Sequence, residues 1–233
     1  MLSSTKAIVL KSTKYAENSL IVKTYTEEFG LITYMVSGIH GKKSKAALFL
    51  PMSILEVVAI HKHQNKLIRP KEIRISKVLS DVHLHPYKAS VLIFINELVY
   101  KCIQEFEPNL ELFDFLYHSI VELEESKEST SNFHLRFLLQ FTRYLGFYPQ
   151  GSFDTHYCFF NLQEGVFTSQ KSNVALDEMH SKWLFDCMQD NYAGIKNREI
   201  RNEILLKFIL FYQFHVHGFS KIQSLDILQE IAS

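Results

Sequence analysis

The chain has 233 residues with 25 Lys and Arg against 25 Asp and Glu, so its formal net charge is zero and the total says nothing about partners. Nearly half the residues are hydrophobic, among them 19 Phe and 11 Tyr, which excludes a disordered chain and allows a sizeable core. Three scattered cysteines (Cys102, Cys158, Cys187) exclude a disulfide framework and fit a reducing compartment.

The opening MLSSTKAIVLKST lacks the long apolar stretch of a secretion signal, and no run of about 18 uninterrupted apolar residues follows, so a cytoplasmic protein is expected. The first 80 residues read as strands. KAIVLKSTK (6–14) and NSLIVKTYT (18–26) are β-rich runs joined by the turn chemistry of YAEN. EEFG then leads into LITYMV (31–36). MSILEVVAI (52–60) and LIRPKEIRISKV (67–78) are a fourth and a fifth run, the last with Pro70 at a break or edge position. KKSKAALFL (42–50) is a candidate short helix between the third and fourth strands, which is where a five-stranded OB barrel carries one. An SH3-like barrel also fits.

After Pro86 the period changes to three and four. Val91, Leu92, Ile95, Leu98, Val99, Cys102, Ile103 and Phe106 mark one helix, ended by Pro108. Leu112 to Leu123 repeat the pattern, and Phe133 to Leu145 give a third helix stopped by Gly146 and Pro149. Residues 151–173 are loop-like, with NLQEGVF as a hairpin turn. Helices resume over 176–189 and 199–216, the latter apolar nearly all round. The expected fold is α+β: an N-terminal five-stranded OB-fold β-barrel (1–80), then an α-helical C-terminal domain (81–233) with a loop and hairpin insertion near 150–174.

Division at residue 80 uncovers a charge asymmetry. Thirteen Lys and Arg stand against five Glu through Ser80, a net of +8, and the remainder carries −8. Such a split points to a polyanion-binding module on a separate body. Its focus is the segment with His40, Lys42, Lys43 and Lys45, between Gly38, Gly41 and a hydrophobic run. A phosphate-cradling G-x-x-x-x-G-K-[ST] loop fails there, because Ser37 and Lys42 occupy the glycine positions. Backbone-phosphate binding without chemistry remains: lysines supply charge, and glycines let main-chain N–H groups approach. Lys6, Lys11, Lys14, Lys23, Arg69, Lys71 and Arg74 form a wider basic surface, and Tyr25 and Tyr34 are candidate base-stacking rings, or else strand-edge packing.

The histidine pairs His61/His63, His83/His85 and His215/His217 lack the further ligands a metal requires, and no metal or other cofactor is expected. No nucleophile elbow, zincin motif or paired acidic motif is present, so a binding protein is expected rather than an enzyme.

Three segments bear a family likeness. AIVLKSTKYAENSLIVKTYTEEFGLITYMVSGIHGKKS, LQFTRYLGFYPQ and HGFSKIQSLDILQEI, in this order and spacing, resemble the bacterial recombination mediator family RecO over almost the whole chain. Many members carry a four-cysteine zinc knuckle after the Gly-x-x-Pro helix end. Here only Cys158 stands there, so no zinc is expected, and Phe160, Val166 and Phe167 would hold the loop by packing.

The resemblance implies binding of single- and double-stranded DNA, annealing of complementary strands, and help in loading recombinase onto strands coated by single-strand-binding protein (SSB). It also implies two protein partners, RecR and the acidic-hydrophobic SSB C-terminal tail. The tail needs an apolar pocket beside a cation, for which Arg136, Arg143 and Lys207 are candidates. An RNA-binding OB protein and a protein-interaction scaffold are the alternatives.

Overall fold

The computed structural model describes residues 2–38, 46–61, 67–103, 107–127 and 130–231. Five strands come first: β1 (Leu2–Ala16), β2 (Ser19–Thr26), β3 (Gly30–Ser37), β4 (Ile54–Ile60) and β5 (Glu72–Lys77), with a 3-10 turn over Ala46–Phe49 before β4. The helices α1 (Asp81–Leu84), α2 (Pro86–Cys102), α3 (Leu110–Glu125) and α4 (Phe133–Tyr144) follow. Next come the short strands β6 (Phe159–Asn161), β7 (Val166–Thr168) and β8 (Ala175–Leu176), then α5 (Glu178–Met188), α6 (Arg198–His215) and α7 (Ser224–Ile231). The five strands and the helices expected after Pro86 are present, although the first long helix ends at Cys102 instead of Phe106. Of the candidate short helix 42–50, residues 46–49 form the 3-10 turn, and 42–45 lie outside the described residues. The fifth β-rich run is interrupted at Pro70, so the strand itself starts at Glu72.

Contacts divide the chain into two compact units: Met1–Ser126 with Ile222–Ser224, and Lys127–Lys221 with Leu225–Ser233. The change from strand to helix at residue 80 therefore falls inside the first unit, which includes α1 to α3.

In that unit the sheet order is β3-β2-β1-β4-β5, antiparallel throughout. The two ends of the sheet meet at one parallel bridge between Tyr34 and Ile68. Met35 donates its N–H to the Ile68 carbonyl at 2.8 Å, and Ile68 donates to the Thr33 carbonyl at 2.9 Å. The sheet is thus OB-like: curled on itself and joined at one point, short of a fully closed barrel. Its inner face holds Ala7, Val9, Val22, Tyr34, Val36, Leu55 and Val57, with Ile68 across the joint.

β1 serves two partners. Its first half pairs with β4 and its second with β2, and the ladder with β2 slips between Val9 and Lys11. Such a bulge bends the strand and frees a carbonyl. Asn96 of α2 donates its side-chain N–H to that carbonyl, Leu10 O, at 3.0 Å. In this way α2 is fixed against the outer face of the sheet.

Two carboxylates then fix the helices. Glu124 accepts from the backbone N–H groups of Ser80, Asp81 and Val82 and from the Ser80 hydroxyl, at 2.8–3.3 Å. Buried Lys88 reaches Asp81 and the Ser126 carbonyl, both at 2.6 Å, and so closes the end of α3. Glu97 performs the same task at the start of α7, accepting from the N–H groups of Gln223 and Ser224 and from the Ser224 hydroxyl. Burial works against the Glu97 charge, but these donors and Lys101 outweigh it and hold the carboxyl at about 2.

The second unit contains α4, α5, α6 and the three-stranded sheet β7-β6-β8. The hairpin expected at NLQEGVF is β6–β7, with Phe160 opposite Phe167. Aromatic contacts hold it: Phe160 meets Phe167 and Phe211 edge to face, and Phe167 meets Phe153 and Phe185. His215 stacks on Phe147 at 4.9 Å and its Nε2 bonds the Leu162 carbonyl. Among the described residues no group of three or more His, Cys, Asp or Glu has the geometry of a metal site.

Glu97→Gln is expected to cost roughly 1.5–3 kcal/mol at neutral pH, the range for hydrogen bonds to a charged group. The folded carboxyl lies below its unfolded value of about 4.3, so its contribution is complete above that pH and is lost as pH falls towards 2. Denaturant melts should therefore show wild type and variant converging between neutral pH and pH 3.

Candidate nucleic-acid interface

Opposed residues in an antiparallel ladder point to the same face. Lys11 lies opposite Lys23, Lys23 opposite Thr33, Thr13 opposite Ile21, and Ile21 opposite Met35. The residues flanking them, Leu20, Val22, Ile32, Tyr34 and Val36, belong to the inner core or pack against it. Lys11, Thr13, Ile21, Lys23, Thr33 and Met35 therefore form the outer face of β1–β2–β3. One end of this face is covered: Ile8, Tyr25 and Leu31 are buried there, and the Tyr25 hydroxyl reaches the Asn109 carbonyl at 3.4 Å. The other end carries the lysines.

The expected basic surface separates into two groups. Lys6 pairs with Glu27 at 3.6 Å and lies over the Tyr117 ring. Arg74 pairs with Glu56 at 3.4 Å and Glu72 at 3.7 Å. Lys77, the last residue of β5, pairs with Glu125 of α3. Lys11, Lys14, Lys23, Arg69 and Lys71 make no ion pair among the described residues. Instead Lys11 and Lys23 both lie over the ring of Tyr100 in α2, at 5.0 and 4.8 Å from its centroid, and the Arg69 guanidinium touches the Met35 sulfur. Lys14 lies near the end of β1, next to the exposed ring of Tyr15.

The two tyrosines assigned to stacking require a correction. Both Tyr25 and Tyr34 are 1 % exposed, so neither ring offers a face to a base. Tyr34 points into the core, where its hydroxyl bonds His61 Nε2 at 2.8 Å and burial raises its pKa. His61 in turn bonds Ser3 and stacks on Phe29 at 4.2 Å, a partly buried, packed histidine whose pKa burial lowers. A second correction concerns Gly38: its N–H is taken by the Asn18 carbonyl at 2.9 Å and is not available to a phosphate. That bond ties the β3 exit to the β1–β2 turn. His40, Lys42, Lys43 and Lys45 lie outside the described residues.

In the second unit, Arg143 stacks on Tyr148 at 3.6 Å and bonds Gln140, and Arg136 lies over Phe133. Lys207 occupies a different setting. Together with Phe160, Leu162, Leu176, Leu184, Phe208 and Phe211 it lines a small apolar recess with about 20 Å³ of free space. His180 also lines it, between Asp177 and Glu203. Neither Arg136 nor Arg143 lines it.

Two family models match the chain: Recombination protein O N terminal over residues 1–78, and Recombination protein O C terminal over residues 84–191. The chain belongs to the RecO family. Three similar proteins, each named DNA repair protein RecO, come from Flavobacterium johnsoniae, Christiangramia forsetii and Phocaeicola vulgatus. The first is 39% identical over 98% of each chain, the second 37% over 99% of each, and the third 34% over 100% of each. The RecO-like segments have clear structural roles here. Gly146, with φ +81, ends α4 in a conformation that favours glycine and delivers Phe147 to His215. Ser224 is clasped by Glu97, and Leu225 and Leu228 are buried. Among the described residues no helix is long and apolar enough to cross a membrane.

Tyr34→Phe removes one partly buried hydrogen bond and should cost roughly 0.5–1.5 kcal/mol in a denaturant melt. DNA affinity measured by fluorescence anisotropy should be unchanged. A large affinity loss without destabilisation would return the ring to the interface.

Proposed function

We propose that this chain is a recombinational repair mediator. It binds single- and double-stranded DNA, anneals complementary strands and assists recombinase loading on SSB-coated DNA, in association with the nucleoid. The observation that carries this reading is the partition of cations: those on the open end of the β1–β3 face lack carboxylate partners among the described residues, and others such as Lys6, Arg74 and Lys77 have them. An unpaired cation releases counterions from a phosphate backbone at no cost of a broken ion pair. On the β1–β3 face Lys11, Lys23 and Arg69, beside Met35, form the described part of the interface; Lys14, opposed to Leu20, and Lys71, just before β5, flank it, and His40, Lys42, Lys43 and Lys45 extend it. Neutralising phosphates lowers the repulsion between two strands and so favours their annealing.

Family membership supports RecR as a partner. The SSB tail has chemical support of its own: apolar side chains line a recess suited to a hydrophobic end, and Lys207 in the same lining would take the tail's carboxylates. Of the three cations expected for this task, Lys207 fits best.

Annealing of complementary oligonucleotides coated with SSB should accelerate on addition of the protein; no acceleration would contradict the reading, and a strong preference for RNA in competition would replace it. Replacing Lys42, Lys43 and Lys45 by Ala should flatten the salt dependence by roughly 0.7 log units per log unit of salt for each phosphate that is no longer neutralised. Lys207→Glu should weaken an SSB-tail peptide about tenfold or more, the scale of losing a charge-assisted bond, and leave DNA affinity unchanged.

A further inference from the structure

Lys11 and Lys23 are directly opposed across the β1–β2 ladder, and like charges in that relation destabilise a sheet. Neither has an ion-pair partner among the described residues, although carboxylates stand beside Lys6, Arg74 and Lys77 of the same sheet. Their ammonium groups converge on one half-buried ring, Tyr100, at 5.0 and 4.8 Å. The convergence is built. The slip between Val9 and Lys11 re-aims the strand, Asn96 holds the carbonyl released there, and Tyr100 follows Asn96 by one helical turn on the same face of α2.

We propose that Lys11, Lys23 and Tyr100 form a subsite for a single backbone phosphate of a nucleic-acid strand. The inference rests on the DNA-binding reading and narrows it to three residues, one of which no sequence pattern pointed to. The phosphate takes both ammonium groups, which removes their mutual repulsion. Tyr100 is a positioning residue: cation–π attraction holds both lysine heads before the ligand arrives, so less side-chain freedom is lost on binding. The ring works through its π face, and its hydroxyl is dispensable.

The test is fluorescence anisotropy of a labelled single-stranded oligothymidine over a range of salt, with thermal melts to confirm folding. The proteins are wild type, Lys11→Ala, Lys23→Ala, the double variant, Tyr100→Phe and Tyr100→Leu. Each single lysine variant should lose about tenfold in affinity at low salt, the scale of a charge-assisted bond. The double variant should lose less than the product of the two, because both lysines serve one phosphate. Tyr100→Phe should match wild type. Tyr100→Leu should bind more weakly and with a shallower salt dependence, although no charge has been removed. The subsite is overturned if wild type binds and the lysine variants bind equally well, if the two lysine losses multiply, or if Tyr100→Leu keeps both affinity and slope. Wild type that binds no oligonucleotide at low salt would instead overturn the DNA-binding reading itself.

Discussion

A single strand that serves two neighbours governs the first unit. β1 runs for 15 residues, pairs with β4 over its first half and with β2 over its second, and slips in register along the β2 ladder. The slip bends the sheet, but it also frees a backbone carbonyl in a buried place, where an unsatisfied polar group costs on the order of 1–3 kcal/mol. Asn96 satisfies that group, and in doing so it fixes α2 across the outer face. Everything else about that face follows. Tyr25 and its neighbours at one end become core, and the end beyond the bulge keeps its lysines at the surface.

Charge is distributed by the same packing. Residues 81–126 carry nine Asp and Glu against two Lys, a net of −7, so nearly all the acid that cancels the basic strands lies in their own compact unit. One of these acids reaches the sheet as a direct partner: Glu125 meets Lys77. Glu124 and Glu97 are committed to backbone N–H groups at helix starts, and Asp81 is committed to Lys88. The far side of the sheet, at Lys11 and Lys23, receives none of them among the described residues. A neutral chain therefore presents a local excess of positive charge, and the sheet's own geometry decides where.

Much of the architecture is legible in the sequence because strands and helices announce themselves by period. β6–β7 is legible for the same reason, from two apolar pairs around NLQEGVF. What lies hidden is long-range. Alternation places Tyr25 and Lys23 on one face of β2, but nothing local shows that a helix starting beyond Asn109 covers one of them and leaves the other open. The pairing of Lys77 with Glu125 spans 48 residues, so counting basic residues overstates the available surface. Tyr100 gives no signal of its own, because it sits within an apolar helix pattern. Of the three cations offered for an acidic tail, helical spacing groups Arg136 with Arg143, yet those two lie over aromatic rings, and Lys207, inside the greasiest helix, stands at the recess.

The central claim is that unpaired lysines, and not the total basic charge, define where DNA lies. Covalent labelling of lysine amines with and without a saturating single-stranded oligonucleotide, read residue by residue by mass spectrometry, measures this directly. The expected result is strong protection of Lys11 and Lys23 together with Lys42, Lys43 and Lys45, and unchanged labelling of Lys6 and Lys77, which already hold Glu27 and Glu125. Protection centred on Lys6 and Lys77, with Lys11 and Lys23 labelled as freely as before, would contradict it.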